Sequence, residues 1–246
     1  MYFSALVTLS CLVSLGTSQI ITIQNSCLPA GGYTLCQNLW NIAGAVGSQN
    51  STLMSSSTQT VSWATNYTWA DGGNSVKSYA NVESINAKGV QLSNISSAPT
   101  SWNWNSGSQS SGSQGDVAYD IWFGQASSGR PSTAGSSYEI MIWLSAIGGC
   151  GSNKNWEVFS FVSAGGDINS FNADLNAFFT YLVSEQGVAG TQYVQVIQAG
   201  TEAAPGSANF VTTSYSVSIA SNSSSAVPSS SVLSSSHTSS SASAFF

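Results

Sequence analysis

Glu139 stands in the run Tyr138-Glu139-Ile140-Met141-Ile142-Trp143-Leu144, which otherwise has the composition of a buried strand. Alternation along an extended chain gives Tyr138, Ile140, Ile142 and Leu144 one apolar face and leaves Glu139, Met141 and Trp143 on the other. A carboxylate among apolar groups is costly unless it is hydrogen-bonded or protonated, so that second face needs a reason to exist. Trp143 supplies a flat apolar plate of the kind sugar rings pack on. The pattern recurs in Asp116-Val117-Ala118-Tyr119-Asp120-Ile121-Trp122-Phe123, where Val117, Tyr119, Ile121 and Phe123 form the apolar face and Asp116, Asp120 and Trp122 lie opposite. Glu202 ends a third strand-like run from Val194, in which Gly200 permits close approach of another chain or a ligand. Three strands turning acids away from their apolar sides are what a concave sheet with a carboxylate-lined groove requires. Taken singly, Asp116 reads as a strand-start residue bonded to a turn, and Glu202 as a solvated strand end.

Composition narrows the chemistry to these acids. Only 6% of residues are charged, and ten acids against four bases give a net charge of -6, so no phosphate-binding surface and no nucleic-acid partner are expected. The one histidine, His237, falls in a serine-rich tail, which removes Ser-His-Asp catalysis and histidine metal sites from the body. Carboxyl groups remain as the acid, base and nucleophile. No metal and no cofactor are expected, since three cysteines without a histidine partner are a poor zinc set.

Residues 1–18 read as a signal peptide, with an apolar run from Leu6 to Leu15 and the small residues Gly16, Thr17 and Ser18 before Gln19. The run is short for a bilayer span, so a secreted protein without a membrane span is expected. Sequons at Asn50, Asn66, Asn94 and Asn222 agree with that route. Removal of Cys11 leaves Cys27, Cys36 and Cys150; Cys27 to Cys36 is the local pairing and one thiol stays over.

The elements that must position the acids are short β-rich runs separated by Gly, Ser and Asn: Thr60–Trp69, Val76–Val82, Val117–Phe123, Tyr138–Leu144, Trp156–Val162, Tyr193–Gln198 and Val211–Ile219. Phe171, Leu175, Phe178, Phe179 and Leu182 recur at helical spacing, with Ser170 or Asn172 as cap and Gly187 as stop, which predicts one packed helix. The fold class is therefore all-β: a two-sheet β-sandwich of the jelly-roll kind with a concave cleft and one α-helix, over residues 19–220. From 221 to 246 the chain has 14 serines among its last 26 residues and too little to pack, which reads as a disordered tail.

The strings YEIMIWL, DVAYDIW, QAGTE and QNLW, with VKSY at Val76–Tyr79 and FFTYL at Phe178–Leu182, resemble glycoside hydrolase family 12, and the wording YEIMIWLSAIGG and QAGTE is most similar to its xyloglucan-preferring branch. The resemblance implies a retaining endo-β-1,4-glucanase on a jelly roll, a monomer whose partner is a β-1,4-glucan such as xyloglucan or cellulose. It implies Glu139 as nucleophile, Glu202 as acid/base and Asp120 beside the nucleophile, with Asn38, Trp40, Met141 and Trp143 lining the cleft. A retaining pair has its carboxyl groups about 5–5.5 Å apart. Two departures stand out. Asn50 occupies the place of the second cysteine of the family's usual disulfide, so that bridge is expected to be absent. After Leu144 the chain passes through Ser145, Gly148, Gly149, Cys150 and Asn153 directly to Trp156 and Phe161, so a hairpin beside the Glu139 strand is expected to be missing, leaving an unpaired edge or a gap in the wall. A non-catalytic glucan-binding or decoy relative is the alternative that a shortened wall leaves open. A sandwich without a sugar groove would place Glu139 and Glu202 on opposite faces.

Overall fold

A computed structural model describes residues 18–131, 135–148 and 156–222; Cys11, Cys150, Asn153, His237, the signal run up to residue 17 and the tail from residue 223 lie outside the described residues. The strands, in chain order, are β1 (Gln19–Ile21), β2 (Cys27–Ala30), β3 (Tyr33–Cys36), β4 (Ala45–Ser56), β5 (Val61–Asp71), β6 (Ser78–Ser84), β7 (Ile95–Ser97), β8 (Pro99–Gln109), β9 (Gly115–Gly124), β10 (Ser136–Ile147), β11 (Glu157–Val162), β12 (Ser170–Asp174), β13 (Tyr193–Ala203), β14 (Gly206–Val217) and β15 (Ala220–Ser221). One helix, α1 (Asn176–Glu185), interrupts them. A six-stranded sheet runs β1-β4-β5-β14-β8-β12, a seven-stranded sheet runs β11-β10-β9-β13-β6-β3-β2, and β15 pairs with β7. No described helix is long and apolar enough to cross a membrane.

Period-two alternation builds the core between the two large sheets. Ile140, Ile142 and Leu144 of β10, Val117, Tyr119, Ile121 and Phe123 of β9, and Ile197 and Ala199 of β13 all enter it from the seven-stranded side. Trp63, Trp102, Trp104 and Tyr215 enter from the other. Trp102 packs edge-on against Tyr119, ring centroids 5.0 Å apart, and against Tyr215 at 5.7 Å, while its indole N–H donates to Thr212 Oγ1 at 3.0 Å. The aromatic stack thus ties the sheets together with its polar atoms satisfied. Trp63, Trp69, Trp102 and Trp104 are all core.

A row of amides crosses the middle of the outward face of the six-stranded sheet. Asn50, Asn66 and Asn209 sit opposite one another on β4, β5 and β14. Asn66 Nδ2 donates to Asn50 Oδ1 at 3.3 Å, and Asn209 Nδ2 donates to Asn66 Oδ1.

Three expectations are corrected. The helix begins later than its spacing predicts: Ser170–Asp174 pairs with β8, with Phe171 opposite Trp102, so strand pairing claims the first turn. Asp174, rather than Ser170 or Asn172, receives the first helical N–H, from Asn176 at 2.9 Å. At the other end Gly187 does stop the helix, in the left-handed region at φ +73°. The local Cys27–Cys36 bridge forms as expected, between adjacent strands β2 and β3. Finally, β10 has no open edge, because β11 lies beside it in parallel, from Tyr138 opposite Glu157 to Trp143 opposite Val162. Residues 148–156 alone connect the two, which is short for a parallel connection.

Candidate functional site

Strand register brings the predicted acids to one face. On β10 and β9, Glu139 lies opposite Trp122, Met141 opposite Asp120 and Trp143 opposite Ala118. Across the other edge of β9, Asp120 lies opposite Gln198 and Ala118 opposite Gly200 of β13. Ala203 opposite Gly115 continues that ladder and sets Glu202 level with Asp116. On β6, Tyr79 lies opposite Glu202 and Asn81 opposite Gly200. The intervening residues Ile140, Tyr119, Ile121, Ile197, Ala199 and Val82 all point into the core. Glu139, Asp120 and Glu202 therefore share the face turned away from it, which overturns the arrangement of a sandwich without a groove.

The small residues on this face have structural uses. At Gly200 a Cβ would lie 2.2 Å from the carbonyl oxygen of Ala80, so the close approach is that of the neighbouring strand. Gly115, at φ +152°, would put a Cβ 2.2 Å from the Glu202 carbonyl oxygen. A side chain there would displace the strand end that carries Glu202.

These carboxyls are almost dry: Glu139 is 1% exposed, Asp116 0%, Asp120 9% and Glu202 9%. Water therefore does little to screen them, and like charges must share protons. Asp116 Oδ1 accepts the backbone N–H of Glu202 at 3.2 Å. Burial, then the adjacent Glu202 carboxyl with which it shares a side-chain hydrogen bond, holds Asp116 well above the usual carboxylate range. Beneath them the Tyr79 hydroxyl donates to the Ala118 carbonyl at 2.9 Å. Burial, reinforced by Asp120, Asp116 and Glu202, raises Tyr79 well above its ordinary value, so it stays a neutral phenol.

At the other end of the face, the indole N–H of Trp156 donates to Glu139 Oε2. Trp156 packs edge-on against Trp122, centroids 5.1 Å apart. Trp143 is half-buried and its indole N–H points to Met141 Sδ at 3.5 Å. Asn38 has a left-handed backbone, φ 48°, and its carbonyl accepts the Tyr79 N–H at 3.1 Å, which places it at the end of the row holding Tyr79 and Glu202. Trp40, two residues on, is 49% exposed, unusual for so large an apolar ring.

Sequence reasoning missed two members. Asp116 has the same parity as Asp120, a signal that was present but outweighed by its place at a strand start. Trp156 precedes an edge strand, and no spacing rule connects it to Glu139 across a parallel ladder.

The model of "Glycosyl hydrolase family 12" matches residues 31–151 and 148–220. The chain belongs to glycosyl hydrolase family 12. It is 39% identical to xyloglucan-specific endo-beta-1,4-glucanase A of Aspergillus aculeatus, over 77% of this chain and 87% of that protein. It is 36% identical to the protein of the same name from Aspergillus niger, over 88% of this chain and 97% of that one. Among solved structures, Trichoderma harzianum endoglucanase 3 of the same family superposes with a TM-score of 0.75 at 28% identity, over 86% of this chain and 100% of that one. The jelly roll expected from the sequence is thus the fold of this family 12 hydrolase. The family match divides at residues 148–151, the stretch where the sequence departs from the family pattern and β11 joins β10 in parallel.

Proposed function

We propose that this family 12 hydrolase is a retaining endo-β-1,4-glucanase, secreted, that cleaves internal bonds of xyloglucan and related glucans. The observation that carries the reading is the shared face: Glu139, Asp120 and Glu202 stand on neighbouring strands β10, β9 and β13, turned from the core. In this reading Glu139 attacks the anomeric carbon and forms a glycosyl ester while Glu202 gives its proton to the departing oxygen. Water, deprotonated by Glu202, then releases the sugar with its configuration retained. Asp120, opposite Met141 and hence diagonal to Glu139, shares in setting the charge on the nucleophile. Met141, Trp143, Asn38 and the exposed ring of Trp40 supply the cleft surface for the glucan, with the curated xyloglucan-specific relatives favouring xyloglucan. The test is reducing-sugar release from xyloglucan and carboxymethylcellulose by the purified protein. Binding of either glucan without release would sink the reading.

Asp116 gives this site a pH signature. The Asp116–Glu202 pair holds two protons at low pH, shares one in the working range, and resists losing the last because two buried carboxylates would then repel. Asp116→Asn removes that repulsion, so Glu202 surrenders its proton at lower pH. The basic limb of kcat/KM should move toward acid by about one to two pH units. A pH–rate profile on xyloglucan reads this directly; an unmoved basic limb would separate Asp116 from the acid/base function.

A further inference from the structure

Trp156 lies at the start of the strand that replaces an open edge beside β10, and its ring spans from Trp122 to the carboxyl of Glu139. A tryptophan needed only for packing has no reason to aim its one polar atom at a carboxylate that is 1% exposed. An indole can donate but not accept, so this contact fixes the direction of the carboxyl oxygen that meets it. Trp122 supports the indole from the side, centroid to centroid 5.1 Å, which fixes the ring plane and with it the direction of the N–H.

We infer that Trp156 is a positioning residue for the nucleophile: its indole N–H orients the Glu139 carboxyl group. The inference rests on the proposed role of Glu139.

The test compares wild type with Trp156→Phe, which keeps a ring against Trp122 and removes the N–H, and with Trp156→Leu, which removes both. The probe is a 2,4-dinitrophenyl 2-deoxy-2-fluoro-β-cellobioside. Attack by the Glu139 oxygen expels dinitrophenolate and leaves a stable glycosyl ester, so the first step is read without any proton from Glu202. With melting temperatures matched, Trp156→Phe should trap about 10- to 100-fold more slowly than wild type, since a displaced nucleophile loses its near-attack geometry. The loss should fall on the trapping rate at saturating probe and leave the probe's binding constant unchanged, since the ring face that packs on Trp122 is kept. Trp156→Leu should be slowed at least as much. Equal trapping rates in Trp156→Phe, or a loss confined to probe binding, would overturn the inference and leave Trp156 as packing. Wild-type protein that neither traps the probe nor hydrolyses glucan would overturn the role of Glu139 itself, a separate outcome.

Discussion

Glu139→Gln should abolish turnover of xyloglucan, with kcat lowered by about 10⁴-fold or more, because an amide cannot form the glycosyl ester and no nearby group replaces it in line. The substitution is nearly isosteric, and the amide oxygen can still accept the Trp156 N–H that meets Oε2 in the native protein. Folding and glucan affinity should therefore stay close to wild type, so that loss of rate with binding retained marks loss of chemistry. The first product released by the wild type should be the β-anomer, observable by proton NMR before mutarotation. Release of the α-anomer, or a Glu139→Gln enzyme with substantial activity, would remove Glu139 from the nucleophile position.

Glu202→Ala should have the second largest effect, and its size should depend on the substrate. A glucan leaves as a poor alkoxide and needs the proton, so hydrolysis of xyloglucan should fall by about 10³-fold or more. A dinitrophenyl cellobioside leaves without a proton, so its first step should be nearly unchanged and the glycosyl-enzyme should accumulate. Azide, which needs no general base, should then attack the ester and form a β-glycosyl azide, restoring turnover. Loss of equal size on both substrates, with no rescue by azide, would point instead to collapse of the strand end. Gly115 packs against the Glu202 carbonyl there, so a melting curve must accompany the assay.

How much of this could be read from the sequence follows from how each residue is buried. The strands β9, β10 and β13 are covered on both faces in whole or in part, and alternation assigned Glu139 and Asp120 to the side away from the core, whereas Glu202 reaches that side because the register shifts between Val194 and Val196 and turns Ile197 and Ala199 inward. β4 and β8 were harder, because one face is solvated by Ser, Thr and Asn and only every second residue carries any signal; in β8 that signal is Trp102 and Trp104 within a run of serines and asparagines. The helix was placed too early because Phe171 and Leu175 are four apart, a spacing that also suits a strand followed by a turn, and pairing with β8 decided the matter. Asp116 was underrated because its partner, the backbone N–H of Glu202, is 86 residues away. Trp156 could not have been assigned at all, since its contact with Glu139 depends on the direction in which β11 runs.

The asparagine row across β4, β5 and β14 has its own consequence. That face is joined by amide-to-amide bonds and hydroxyls, and the whole chain carries only four basic and ten acidic residues. Mobile ions act on a protein mainly by screening pairs of charges at its surface, over a Debye length of about 10 Å at 0.1 M. Here there is little for them to screen. Sodium chloride should consequently be a weak lever on the unfolding midpoint, read as a melting temperature that stays nearly level across a salt series.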